Sequence, residues 1–128
     1  MGIFDFLKAK IFTSKRLSSD DEERVRSEWK SIEDLRSLGK PSTLKEAVNR
    51  ADKLLDFTLS KLSAGQTLGE RIKFSKDLFS TVVYDKVWKA HKVRNAMAHE
   101  LNYDPPHFIT KEALDGFKEG FCDLGVRL

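Results

Sequence analysis

The chain has one cysteine in 128 residues, Cys122. It has no partner for an internal disulfide and cannot alone hold zinc or an iron–sulfur cluster, so a disulfide scaffold and a cysteine metal centre are both excluded. A reducing, cytoplasmic setting is expected. Long apolar runs are also missing. Residues 1–12 carry Ile3, Phe4, Phe6, Leu7, Ile11 and Phe12, but a bilayer span needs about twenty predominantly apolar residues. No small-residue cleavage site follows, so a signal peptide is not expected either. Gly2 is in place for myristoylation, yet Phe6 stands where the acylation pattern wants Ser or Thr. There is no glycine-rich phosphate loop, no internal repeat and no low-complexity tract.

Charge of one sign is scarce outside one segment. The net charge is +3 and the sequence pI about 9.0. Residues 1–17 hold Lys8, Lys10, Lys15 and Arg16 against Asp5, which accounts for the whole excess, and residues 18–128 hold 19 basic and 19 acidic side chains. Global basicity is therefore weak evidence for a polyanion partner, and such a claim must rest on a local site. Residues 1–18 read as an amphipathic, basic segment: a helix that docks on the core or a neighbouring subunit, or a weak contact of residues 1–17 with a membrane surface.

What is abundant is material for one core. With 40% hydrophobic and 34% charged residues in 128, one soluble domain, residues 19–128, is expected. Its pattern is helical throughout. Ser19 before Asp20, Asp21, Glu22 and Glu23 opens a first helix running through Val25, Trp29, Ile32 and Leu35 to Gly39. Thr43-x-x-Glu46 reads as a capping box opening a long, central second helix that closes at Ala64-Gly65. Thr67-x-x-Glu70 opens a short third segment, interrupted by the β-branched run Thr81-Val82-Val83. A fourth helix is expected over residues 84–101, ended by Asn102 and Pro105-Pro106, and a fifth from about Thr110 with Leu114, Phe117, Phe121 and Leu124 on one face. Short connections make this an all-α, antiparallel up-and-down bundle of four to five helices. Cys122 reads as a buried small hydrophobe, Trp88 as core, His107 as an exposed loop residue, and Phe117 and Phe121 as core or a dimer seam.

Chemistry concentrates in the fourth helix. Two of the three histidines lie there, and His91, Asn95 and His99, four apart, share one stripe with Arg94 on its border. Metal sharing by the histidines is not expected, because eight residues separate them by about 12 Å. A histidine beside an arginine and a carboxamide, without a nearby nucleophilic Ser or Cys, suits proton transfer at a phosphodiester, with arginine holding the anionic phosphorane. RNA supplies its own nucleophile, the 2′-hydroxyl. On one helix Arg94 and His99 are about 140° apart, so a two-fold pairing of protomers is needed to bring both to one linkage.

Arg94-Asn95-x-x-x-His99 resembles the R-x4–6-H motif of HEPN domains (higher eukaryotes and prokaryotes nucleotide-binding), in which a polar residue, often Asn, follows the arginine. The resemblance extends over roughly residues 29–125, through Trp29 and Ile32, Leu44-Lys45-Glu46-Ala47, Ala51-Asp52-Lys53-Leu54-Leu55-Asp56, Leu68-Gly69-Glu70-Arg71, and Trp88 with His91. It implies a HEPN-like bundle that forms a homodimer. For active members it implies metal-independent RNA cleavage to a 2′,3′-cyclic phosphate and a 5′-hydroxyl, in toxin–antitoxin, phage-defence or RNA-processing settings, with an antitoxin or other protein partner. By the same resemblance His99 is the acid–base group, Arg94 the phosphate-stabilising group and Asn95 the orienting group. Glu46 with Arg50 is similar to an acidic-x-x-x-basic pair of some members, and is equally a routine helix ion pair.

The residues also admit blander readings. Arg94, Asn95 and His99 can form a buried polar network that fixes the fourth helix against the second, with Glu46 or Asp52 as partner. A non-catalytic nucleotide- or RNA-binding module and a protein-interaction scaffold stay open as well. His91, Lys89, Lys92 and Glu46 are further candidates for substrate contact: His91 is otherwise a hydrogen-bonding core residue, and Lys86, Lys89 and Lys92 either track an RNA backbone or form a solvated face. No cofactor and no metal are expected.

Overall fold

The computed structural model describes residues 16–128. Its elements are α1 (Ser19–Leu38), α2 (Pro41–Leu62), α3 (Leu68–Phe74), a turn of 3-10 helix (Lys76–Leu78), α4 (Thr81–His99) and α5 (His107–Asp123). No strand occurs among the described residues, so the all-α class is as expected. The two readings of the N-terminal segment, docked helix or membrane-surface contact, fall on residues 1–18, of which 1–15 lie outside the described residues. No helix among the described residues is long and apolar enough to cross a membrane.

Helix ends show which local signals act. Ser18, not Ser19, caps α1: its Oγ accepts from the Asp21 N–H at 3.1 Å, and Asp20, Asp21 and Glu22 fill the first turn. Gly39 ends it at φ 67°, donating to the Arg36 carbonyl, a left-handed geometry that costs a residue with Cβ. Helix α2 starts earlier than Thr43, because Pro41 at the first position has its φ already set and its missing N–H is needed by nothing there. Thr43 lies inside the first turn and its Oγ1 accepts from the Lys40 N–H. At α3 the capping threonine is as expected, with Thr67 Oγ1 accepting from the Glu70 N–H. Glu70 reaches back to the Gln66 N–H, one residue before the cap.

Helix α4 opens at Thr81, three residues before the expected Tyr84. The β-branched run does not interrupt it, because Ser80 Oγ accepts from the Val83 N–H; such a cap contributes about 1 kcal/mol and outweighs a propensity deficit of a few tenths per residue. Its end at His99 is followed by Asn102 at φ 63°. Helix α5 opens at His107 directly after Pro106, so His107 is a first-turn residue, and Thr110 sits one turn in, donating to the His107 carbonyl.

Residue pairs fix the directions of the helices. Lys86 meets Glu119 and Lys89 meets Glu112, so α4 and α5 are antiparallel. Trp29 packs against Phe121 and Arg36 pairs with Asp115, which sets α1 against α5 in the same sense. Helix α2 touches all the others and contributes the largest share of buried side chains, including Leu44, Val48, Leu55 and Leu59. Phe117 and Phe121 are wholly buried and belong to the core, not to a surface seam. Trp88 is half-buried against that core. Cys122 is exposed, contrary to expectation: Phe121 takes the inward position of that turn, and the next residue is carried about 100° round the helix.

Helices α4 and α5 approach closely. A Cβ on Gly116 would stand 2.9 Å from the Lys86 carbonyl oxygen, and one on Gly120 would stand 2.7 Å from Val87 Cγ2. Small residues on α5 are what let α4 lie this near.

Candidate functional site

Helix α2 places one acid where its periodicity calls for an apolar residue. Val48, Asp52, Leu55 and Leu59 follow one another at helical spacing and all are buried, so Asp52 faces inward and needs a partner. Helix α4 supplies three side chains that answer this need. The Asp52 Oδ1 atom lies 2.8 Å from His91 Nδ1. Since an ionised carboxylate only accepts, His91 donates from Nδ1, and in the neutral ring Nε2 is then an acceptor. Asn95 Nδ2 sits 3.3 Å from that Nε2 and donates to it. The Asn95 Oδ1 then accepts from Arg94 Nη1 at 3.3 Å. Arg94 Nε lies 3.6 Å from Asp52 Oδ2, which closes the ring.

Three of the four links pair a donor with an acceptor when Asp52 is ionised and the His91 ring carries its proton on Nδ1 alone. A proton on His91 Nε2 would confront the Asn95 amide, and turning that amide would confront Arg94. The last link is the weakest, since 3.6 Å is an ion pair but exceeds hydrogen-bond length. Arg94 Nε is buried and has no hydrogen-bond partner among the described residues. The rest of the guanidinium emerges, with the side chain 30% exposed.

No family model matches this chain, and no characterised protein or solved structure does either. What the site can do is therefore argued from its atoms.

The structure separates the expected site residues into two groups. Arg94, Asn95 and His91 are joined, with Asp52 as the member that the motif did not mark as a site residue; an acid on the apolar stripe of α2 is the signal that finds it. His99 is not part of the ring. It is the last residue of α4, exposed, and five residues beyond Arg94. Asn95 therefore orients against His91, one turn before it, and not against His99.

Arg94 opens into a cleft of about 370 Å³ between α2 and the end of α4, which Lys45, Glu46, Arg50, Lys53, Met97 and Tyr103 help to line. Glu46 pairs with Arg50 at 3.0 Å on its rim, so the acidic-x-x-x-basic pair borders the site without touching the ring. Lys45 Nζ lies 2.6 Å from Asp104 Oδ1 and ties the connection between α4 and α5 to α2. The hydrogen bond and charge of Lys45 hold the Asp104 carboxyl below the usual carboxylate range. Lys89 faces elsewhere: with Lys86 it lines a cleft of about 270 Å³ between α4 and α5, where the two pair with Glu112 and Glu119. Lys92 is exposed. Among the described residues no group of three or more His, Cys, Asp or Glu is arranged to hold a metal ion.

Proposed function

We propose that this protein is an RNA-directed domain of the HEPN type, acting as a metal-independent endoribonuclease in a two-fold dimer. The observation that carries the reading is the division of labour at the end of α4: Arg94 and Asn95 are fixed from behind by the buried Asp52–His91 pair, while His99 is left open to solvent. A network built only to fasten two helices gives no reason to leave the imidazole of the motif exposed.

In this reading each site takes His99 from one protomer and Arg94 from the other. The 2′-oxygen of RNA attacks the adjacent phosphorus, and His99 takes the 2′-hydroxyl proton. The bond from phosphorus to the 5′-oxygen breaks, and the leaving oxygen receives a proton from water. Products are a 2′,3′-cyclic phosphate and a 5′-hydroxyl. Arg94 holds the extra negative charge of the phosphorane with a permanently charged fork, and the ring behind it keeps that fork from swinging away.

The test is cleavage of mixed-sequence RNA in EDTA. Wild type is expected to cleave, and His99→Ala and Arg94→Lys are each expected to lower the rate by at least about 100-fold, the usual contribution of a proton-transfer group or a fixed charge donor. Cleavage that survives both changes removes the catalytic assignment. RNA binding by wild type with no cleavage points to the second reading, a non-catalytic nucleotide- or RNA-binding module. That reading is favoured by Asp52, whose carboxylate offsets part of the charge of Arg94.

A further inference from the structure

The cleft that Arg94 opens into has a neighbour on the other side of α2, and the two share a cationic ridge. Arg50 and Lys53 line both the cleft between α2 and α4 and a second one of about 520 Å³ between α1 and α2, whose other walls include Arg24 and Phe57. Together the two clefts and the ridge between them form a groove surface that takes in α2 from Lys45 to Phe57, about 18 Å at the rise of an α-helix. Five cations, Lys45, Arg50, Lys53, Arg94 and Arg24, face it against Glu46 and Glu28. Elsewhere in residues 18–128 acids outnumber bases, since that stretch is neutral as a whole. Several of these cations have partners: Lys45 has Asp104, Arg50 has Glu46 and Arg94 has Asp52. Lys53 and Arg24 are exposed and have no ion pair among the described residues.

The far end of the groove holds an aromatic ring with two cations against it. The Arg24 guanidinium lies 4.6 Å from the centroid of the Phe57 ring, with Lys61 Nζ at 5.5 Å. A guanidinium held over an aromatic ring is a plane on which a base can stack, and a cationic groove ending in such a plane suits a single strand better than a duplex.

We propose that this groove is a binding track for single-stranded RNA, with Lys53 and Arg24 contacting phosphates and the Arg24–Phe57 pair stacking a base upstream or downstream of the linkage at Arg94. The track rests on the RNA-directed reading given above and adds to it the chemical form of the substrate and three binding residues outside the motif. An acidic peptide is the competing occupant. It meets the same cations, but gains nothing from the stacked plane.

The test uses the full chain carrying His99→Ala, so that RNA stays intact, and reads fluorescence anisotropy of a labelled mixed-sequence RNA of about 12 nucleotides, within the site sizes usual for single-strand grooves, across a salt series. Adding Lys53→Glu and Arg24→Glu is expected to weaken binding by at least about tenfold. It should also flatten the dependence of log affinity on log salt by about 1.4, since each of two lost phosphate contacts on a single strand contributes about 0.7. Lys53→Glu should leave melting unchanged, Arg24→Glu should lower it only by the loss of one exposed cation–π contact, and Phe57→Leu should weaken binding without altering the salt slope. Unchanged affinity in the double variant overturns the track, as does equal binding of a polyglutamate peptide or no RNA binding at all. The two readings fail separately. Groove-dependent RNA binding without wild-type cleavage keeps the track and removes the nuclease, whereas cleavage with an unaltered KM in the Lys53→Glu, Arg24→Glu chain that retains His99 does the reverse.

Discussion

Two residues of one helix, eight apart in sequence, bear very different weights. His91 is buried and shares Asp52 with Arg94, whereas His99 is exposed at the helix end. Removing the Asp52 carboxylate leaves a buried N–H of His91 without its acceptor and the guanidinium of Arg94 without its counter-ion. A hydrogen bond to a charged group is worth about 1.5–3 kcal/mol; the longer Arg94 contact adds less, because that side chain is partly solvated. Asp52→Ala is accordingly expected to lower unfolding free energy by about 2 kcal/mol in urea denaturation, while His99→Ala stays within about 0.5 kcal/mol, as exposed substitutions do. Equal losses would mean that His99 has structural partners. The motif itself was legible in the sequence as a stripe of spacing four, and so was the choice between an open site and a sealed network. The partner was not, since Glu46 and Asp52 were both open: Asp52 lies 39 positions from His91, and only the fold of α2 brings it there.

At the scale of elements, the helices were legible because apolar spacing is set by burial, and burial is what the bundle is made of. Their starting points were not. The reading of Thr43 and Tyr84 as openings missed Pro41 and Ser80, both of which act through one backbone group that a hydrophobic pattern does not report. The α4–α5 contact was equally hidden, since a glycine in a helix reads as a weakness. Placing Ala for Gly within a helix ordinarily stabilises by about 1 kcal/mol. At Gly116 the added methyl would meet the Lys86 carbonyl oxygen at 2.9 Å, and relieving an overpacked contact costs about 1–3 kcal/mol. The clash is with backbone and cannot be turned aside, so Gly116→Ala is expected to be destabilising by about 1 kcal/mol or more. Gly69→Ala is the control. Its methyl meets Trp88 at 3.8 Å, ordinary contact, and a modest gain of up to about 1 kcal/mol is expected. Thermal melting of the two variants should therefore move in opposite directions, and a rise for both would show that the helices can separate to admit a side chain.

For the molecule as a whole, the decisive question is whether one site draws on two chains. Arg94 faces the groove between α2 and α4, and ideal helix geometry puts His99 about 140° further round, which points the two groups apart within one chain. A two-fold dimer repairs this if each site takes Arg94 from one protomer and His99 from its partner. Mixing inactive chains tests it. When Arg94→Ala and His99→Ala proteins exchange subunits in equal amounts, half the dimers are mixed, and each mixed dimer owns one complete site and one empty one. Activity is then expected to return to about a quarter of wild type. Sites contained within single chains return nothing in that experiment. They leave about half of wild-type activity when wild type is mixed with the Arg94→Ala, His99→Ala double variant, where shared sites leave about a quarter. The two mixtures thus move in opposite directions for the two arrangements, and recovery in the first is the outcome that a lone helix with divergent side chains demands.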